Sequence, residues 1–204
     1  MTHTLNRKGL SEANPGEEIV VLCMINQQEI EQKQERMDSI VETVLKYKPD
    51  NIIGAPGGLN EEQLRERLPR GSIITAVFNN MDDVRKLVGE MKSKKLGISM
   101  VLSGLFSDVR DICISNGLTE HTYNISLGVF GKTDKLPEEK VLEITTQCGH
   151  ALISPNLVKH VVQKINREKM TAAEGARMLT KPCVCGIGNP LRMEKLLTKI
   201  AAAN

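Results

Sequence analysis

Residues 18–26 read EIVVLCMIN, and the interpretation of this run decides the fold. Seven apolar residues, Ile19 to Ile25, follow one another without a polar break. Successive side chains on a strand point to opposite faces, so an unbroken run describes a strand covered on both sides. Strands of that kind are typical of parallel sheets flanked by helices. The chain downstream repeats the signal. A polar-rich stretch from about Gln28 to Lys48 sets Ile30, Met37, Ile40, Val41, Val44 and Leu45 along one side of a helix, which Pro49 ends. NIIGAPGG then reads as a strand breaking into a glycine loop, and NEEQLRERL as a helix. SIITAVFNN and GISMVLSG read as strands, each followed by a helix, MDDVRKLVGEMKSKK and LFSDVRDICISNG. HTYNISLGVFG reads as a fifth strand.

Five strand signals alternating with four helices predict parallel β-α units with right-handed crossovers. The chain of 204 residues is short for a closed eight-fold barrel. The expected fold is therefore α/β: an open, mostly parallel, Rossmann-like sheet of about five strands with a helical C-terminal extension. Residues 1–17, polar and bearing Gly9, Pro15 and Gly16, read as an N-terminal arm, and 18–136 as the α/β domain. Residues 137–204 read as helical. There, Pro137 opens one helix, Ser154 and Pro155 the next, Thr171 with Glu174 a third through a capping box, and Asn189 with Pro190 the last.

Composition narrows the function classes. The net charge of +2, with no Trp, two Tyr and three Phe, invites neither nucleic acid nor a membrane surface. No apolar run approaches a membrane span, and the first residues lack the apolar stretch of a secretory signal. A cytoplasmic location is expected. In that reducing compartment the five cysteines are expected as thiols rather than disulfides.

Cys23 and Cys113 sit among apolar neighbours and read as packing residues. The other three occupy helix joints: TQCGH carries Cys148 and His150, and KPCVCGIGNP carries Cys183 and Cys185. The 34 residues between Cys148 and Cys183 form a helical hairpin that returns the chain to its starting point. Three thiols and an imidazole are thereby expected to meet. Such soft donors suit zinc or an iron–sulfur cluster, and amides around Gly149, Gly186 and Gly188 would support cluster sulfides. The C-x-C spacing matches neither zinc knuckles nor ferredoxins. A metal-free reading stands beside it: Cys185, just ahead of a helix start, has the setting of a lowered thiol pKa and would form a reactive pair with Cys183.

A second site is expected on the rim of the sheet. Gly57, Gly58, Ser103 and Gly104 lie in loops after presumed strands, where open α/β sheets bind ligands. Thr122, Asn124 and Ser126 share one face of the fifth strand signal and would face a small anionic ligand. His121, at the start of that signal, reads as a structural histidine. SLGVFGKT approaches a phosphate-binding loop, but Ser126 stands at the first glycine position and no helix starts at Lys132. These residues define three functional expectations. The first is a metal- or iron–sulfur-binding protein with a redox or Lewis-acid role on a small anionic ligand. The second is a metal-free enzyme or binding protein for an anionic metabolite. The third is a maturation or scaffold factor that docks on a partner enzyme. The residues allow a homo-oligomer without requiring one.

Overall fold

In the computed structural model, which describes residues 6–25 and 32–202, the opening run is β1 (Ile19–Ile25), buried at every position except Met24. Helix α1 (Lys33–Lys46) follows and buries Met37, Ile40, Val41, Val44 and Leu45. The helix expected from Gln28 thus has its first residues, 28–31, outside the described region. So do residues 1–5 of the arm and 203–204 at the other end. Next come β2 (Asn51–Ile52), α2 (Glu61–Arg67), β3 (Ile73–Phe78), α3 (Met81–Lys94), β4 (Ile98–Ser103) and α4 (Phe106–Ser115). Asn60 and Gln63 form a capping box at the start of α2, and the Asn80 side chain caps α3.

The sheet corrects the parallel expectation. Its strand order is β2-β3-β1-β4, and every neighbouring pair is antiparallel. Val20 of β1 stands opposite Val77 of β3 on one side and Ser103 of β4 on the other. The crossovers read from the alternation do exist, since α1 carries the chain from β1 to a β2 running the same way. They are split: β3 lies between β1 and β2, and β1 lies between β3 and β4. This is the interleaved, split β-α-β arrangement of a ferredoxin-like sheet, not a Rossmann-like one.

β1 is buried on both faces because helices cover both faces, whichever way its neighbours run. Ile19, Val21, Cys23 and Ile25 join Ile74, Ala76 and Phe78 in a core with α1 and α3. Val20 and Val77 point the other way, into a second core built by the C-terminal helices. Those helices are α5 (Glu139–Thr145), α6 (Pro155–Asn166), α7 (Ala172–Thr180) and α8 (Pro190–Ala202). Helix α5 begins two residues beyond the expected start at Pro137. Within α7, a Cβ on Gly175 would stand 2.6 Å from Val161 and 3.1 Å from Leu197, so the missing side chain sets the approach of α7 to α6 and α8. Among the described residues no helix is long and apolar enough to cross a membrane.

The fifth strand signal is not a strand. Residues 119–132 form no regular element, and Tyr123, Leu127 and Phe130 are 70–80% exposed. The polar–apolar alternation is present, but alternation makes a strand only where a sheet edge supplies backbone partners. Here Gly128 and Gly131 turn the chain with φ of 96° each. An edge-on contact between Tyr123 and Phe106, 5.8 Å between ring centres, ties the segment to α4.

Candidate functional site

The two cysteine-bearing joints meet where the C-terminal helices dock on the sheet. The chain leaves α5 through Gln147 and Cys148, and leaves α7 through the loop 181–189 before α8 begins. Asn189 caps α8: its side-chain oxygen accepts from the amides of Leu191 and Arg192, at 3.0 and 3.1 Å. Its own amide donates to Gln147 Oε1 at 3.0 Å, which joins one cysteine loop to the other.

Three carbonyls of the C-x-C loop are held from outside. Thr75 Oγ1 donates to the carbonyl of Cys185, Arg7 Nη2 to that of Ile187 at 2.6 Å, and Asn51 Nδ2 to that of Gly188 at 2.9 Å. With these oxygens drawn outward, the amides of Ile187 and Gly188 turn toward sulfur, while those of Cys183, Val184 and Gly186 close the loop's own turns. The amide of Gly188 donates to Cys183, and the amides of Ile187 and of Cys185 itself to Cys185. In the other loop the amides of His150 and Leu152 donate to Cys148. Gly186, with φ of 65°, makes the tight turn that this geometry requires.

The three sulfurs and the imidazole are neighbours. Cys183 Sγ lies 3.8 Å from Cys185 Sγ, Cys185 Sγ lies 3.7 Å from His150 Nδ1, and Cys148 packs with Cys183 in the second core. Cys148 and Cys183 are buried in the second core, whereas Cys185 is half-exposed beside it. The three thiols consequently differ in acidity. Donation to Cys183, and then burial, push Cys148 well above the ordinary thiol value. For Cys183 the bond from Cys148 pulls down, but its own donation to Cys185 and its burial outweigh this, and the net shift is upward. Cys185 goes the other way: the Cys183 thiol beside it holds it down at about 7, helped by the two amides and opposed by burial. The remaining thiols are shifted up by burial, Cys23 to about 12.

The structure therefore brings together Cys148, His150, Cys183 and Cys185, but it does not support the zinc or iron–sulfur reading of them. Among the described residues, no group of three or more His, Cys, Asp or Glu side chains is arranged to hold a metal ion. The rim residues are not brought together. Because β2 runs opposite to β4, Gly57 and Gly58 follow one end of the sheet and Ser103 and Gly104 the other. That rim presupposed parallel strands. Thr122, Asn124 and Ser126 lie in the exposed segment after α4, where Thr122 Oγ1 meets His121 Nδ1 at 2.9 Å and Ser126 bonds to Asn6.

Beneath the cysteine loops lies a buried charge network with few signs in the sequence. Arg7 and Arg192 both bond Glu18 Oε1, the latter at 3.3 Å, and all three side chains are at most 4% exposed. Arg7 also donates to the carbonyl of Gln147 at 2.8 Å, so its guanidinium links the arm, β1 and both cysteine loops. Thr75 and Asn51 were the residues most open to detection, as polar groups flanked by buried strand residues. Nothing in the sequence near Arg7 distinguishes it from a surface arginine.

Asp50 lies at the edge of this network and accepts from Asn189 Nδ2 at 3.3 Å. Burial pushes its carboxyl up to about 6, with Glu18 adding to the rise. A carboxyl raised in the folded state binds its proton more tightly there than when unfolded. The stability it contributes is full below its unfolded value of about 4 and is lost as pH rises through about 6. Asp50→Asn should accordingly flatten the fall in urea midpoint between pH 4.5 and 7.5, and be the more stable protein at the upper end. An unchanged slope would show that Asp50 titrates normally.

Comparisons of this chain with protein-family models, with curated proteins and with solved structures find no match. The class of site rests on its own geometry: a dithiol of unequal acidity, backed by a third buried thiol, on the joint between a split β-α-β sheet and a helical layer.

Proposed function

We propose that this protein carries out thiol–disulfide exchange at Cys185 and Cys183. A single observation carries the reading: Cys185 is the one thiol of the trio open to solvent and the one with a lowered pKa, about 7, and a second sulfur lies 3.8 Å away. About half of Cys185 is then thiolate at neutral pH, near the optimum for an attacking thiol. The thiolate attacks one sulfur of a substrate disulfide, forming a mixed disulfide and releasing the other sulfur as a thiolate. His150 is placed to pass a proton toward that leaving sulfur. Cys183 then loses its proton and attacks Cys185 Sγ, which releases the second substrate thiolate and leaves a Cys183–Cys185 disulfide. Two electrons pass from the protein dithiol to the substrate disulfide.

The test is alkylation by iodoacetamide as a function of pH, read residue by residue from peptide masses. Cys185 is expected to react first, with a midpoint near pH 7, while Cys23 and Cys148 stay unmodified until the protein unfolds. Cys183→Ala removes the donor that stabilises the thiolate, so the midpoint should move toward the ordinary value of about 8.5 and the rate at pH 7 should fall about tenfold. A midpoint at the ordinary value in the native protein would overturn the reading. So would stoichiometric iron or zinc on protein purified without oxygen, because bound metal would occupy these sulfurs.

A further inference from the structure

We infer that Cys148 is a third redox residue, which takes the disulfide from the Cys183–Cys185 pair and stores it inside the protein. The inference rests on the exchange reading above and adds to it a step that the reading alone does not need. The three sulfurs stand in order from solvent to core: Cys185 half-exposed, Cys183 buried and touching it at 3.8 Å, and Cys148 buried in the same core as Cys183, on the loop that Gln147 and Arg7 tie to the C-x-C loop. Cys183 is the shared neighbour, so it can bond to either side. A disulfide between residues 183 and 185 closes a very small ring, and strained, exposed disulfides are the labile ones. One between 148 and 183 joins two loops that Arg7 and Gln147 already hold side by side. Its sulfurs lie in the apolar core with Val158, Leu179 and Met193, out of reach of a dissolved reductant.

The step is an isomerisation and needs no further oxidant. Cys148 loses its proton and attacks Cys183 Sγ. The bond between sulfurs 148 and 183 forms as the bond between 183 and 185 breaks, and the electron pair leaves on Cys185, which becomes the thiolate or takes up the proton. The amides of His150 and Leu152, both directed at Cys148 Sγ, stabilise the charge that develops on it. Cys185 is thereby restored to its reduced form, now without the Cys183 donor, while the oxidised state persists beneath it.

The experiment treats the full-length protein with one equivalent of diamide, then quenches it with acid, alkylates it and maps its tryptic peptides without reduction. Cys148 falls in the peptide 141–159, and Cys183 and Cys185 share the peptide 178–192, so the two disulfides differ in kind. The relay predicts that these peptides become cross-linked, with the alkyl group on Cys185. It also predicts that Cys185 becomes alkylatable again after oxidation, with a midpoint moved toward the ordinary value because the oxidised Cys183 no longer donates to it. Cys148→Ser should stop at the disulfide internal to 178–192 and leave Cys185 blocked. If the native protein accumulates that internal disulfide and never the cross-link, the relay is wrong and exchange at Cys185 stands. If neither disulfide forms and Cys185 alkylates no faster than Cys113, the relay and the exchange reading fail together.

Discussion

Gly186→Ala should be the most damaging single-methyl change in the protein, with a loss of at least about 3 kcal/mol in urea unfolding. Two effects coincide at this position. The backbone has φ of 65°, a left-handed conformation that costs any residue with a Cβ about 1 kcal/mol. The added carbon would also stand 2.1 Å from the carbonyl carbon of Ile52 and 2.3 Å from the amide of Ile53. Those are backbone atoms of β2 and its exit, so no side-chain rotation relieves the overlap, and the C-x-C loop must lift off the sheet. Lifting it breaks the bonds from Thr75, Arg7 and Asn51 that turn its amides toward sulfur. The alkylation midpoint of Cys185 should rise along with the loss of stability. Gly58→Ala separates the two effects: φ there is 89°, but the new carbon meets nothing within 4 Å. That variant should show the backbone cost of about 1 kcal/mol and leave Cys185 unchanged. Equal losses in the two variants would mean that the loop is not pressed against β2.

Arg7→Ala should cost about 3–5 kcal/mol, the range for breaking a buried ion pair from one side. The arginine bonds Glu18, which is 2% exposed, and supplies the donor for the carbonyls of Gln147 and Ile187. Removing it leaves Glu18 with Arg192 as its remaining cationic partner and strips both cysteine loops of their shared anchor. Arg7→Lys should lose less, because its ammonium keeps the charge partner of Glu18. A lysine ammonium lacks the fixed fork that reaches the carbonyls of Gln147 and Ile187 together, so the loops should remain apart: the diamide cross-link between Cys148 and Cys183 should be slow even in the lysine variant. Full recovery of both properties would confine Arg7 to charge balance, with no part in positioning the loops.

Much of the site could be read from local spacing. Pro155 and Ser154, Thr171 with Glu174, and Asn189 with Pro190 mark helix starts through chemistry confined to four or five residues. A helical hairpin between Cys148 and Cys183 has to come back close to where it began. The meeting of CGH with CVC follows from those local signals. The unequal acidity of the three thiols does not, because it depends on which sulfur donates to which and on which one faces solvent. The carbonyl anchors Thr75, Asn51 and Arg7 lie more than 100 residues away in sequence from the loop they hold, and no spacing rule reaches that far.

The sequence by itself determined which segments are strands and helices through α4, where three of the four helices of the last third begin, and that the run 19–25 is covered on both sides. These properties follow from short-range backbone preferences and from how much apolar surface each segment must hide. Only the tertiary structure decided how the strands are ordered and which way they run. A β-α-β crossover leaves the same pattern whether its two strands are neighbours or are split by a third, and a helix on each face buries β1 equally in both cases. Direction in turn decided the sites: the reversal of β4 relative to β2 separates the glycine loops of the expected rim, while docking of the second helical layer on Val20 and Val77 assembles the thiols.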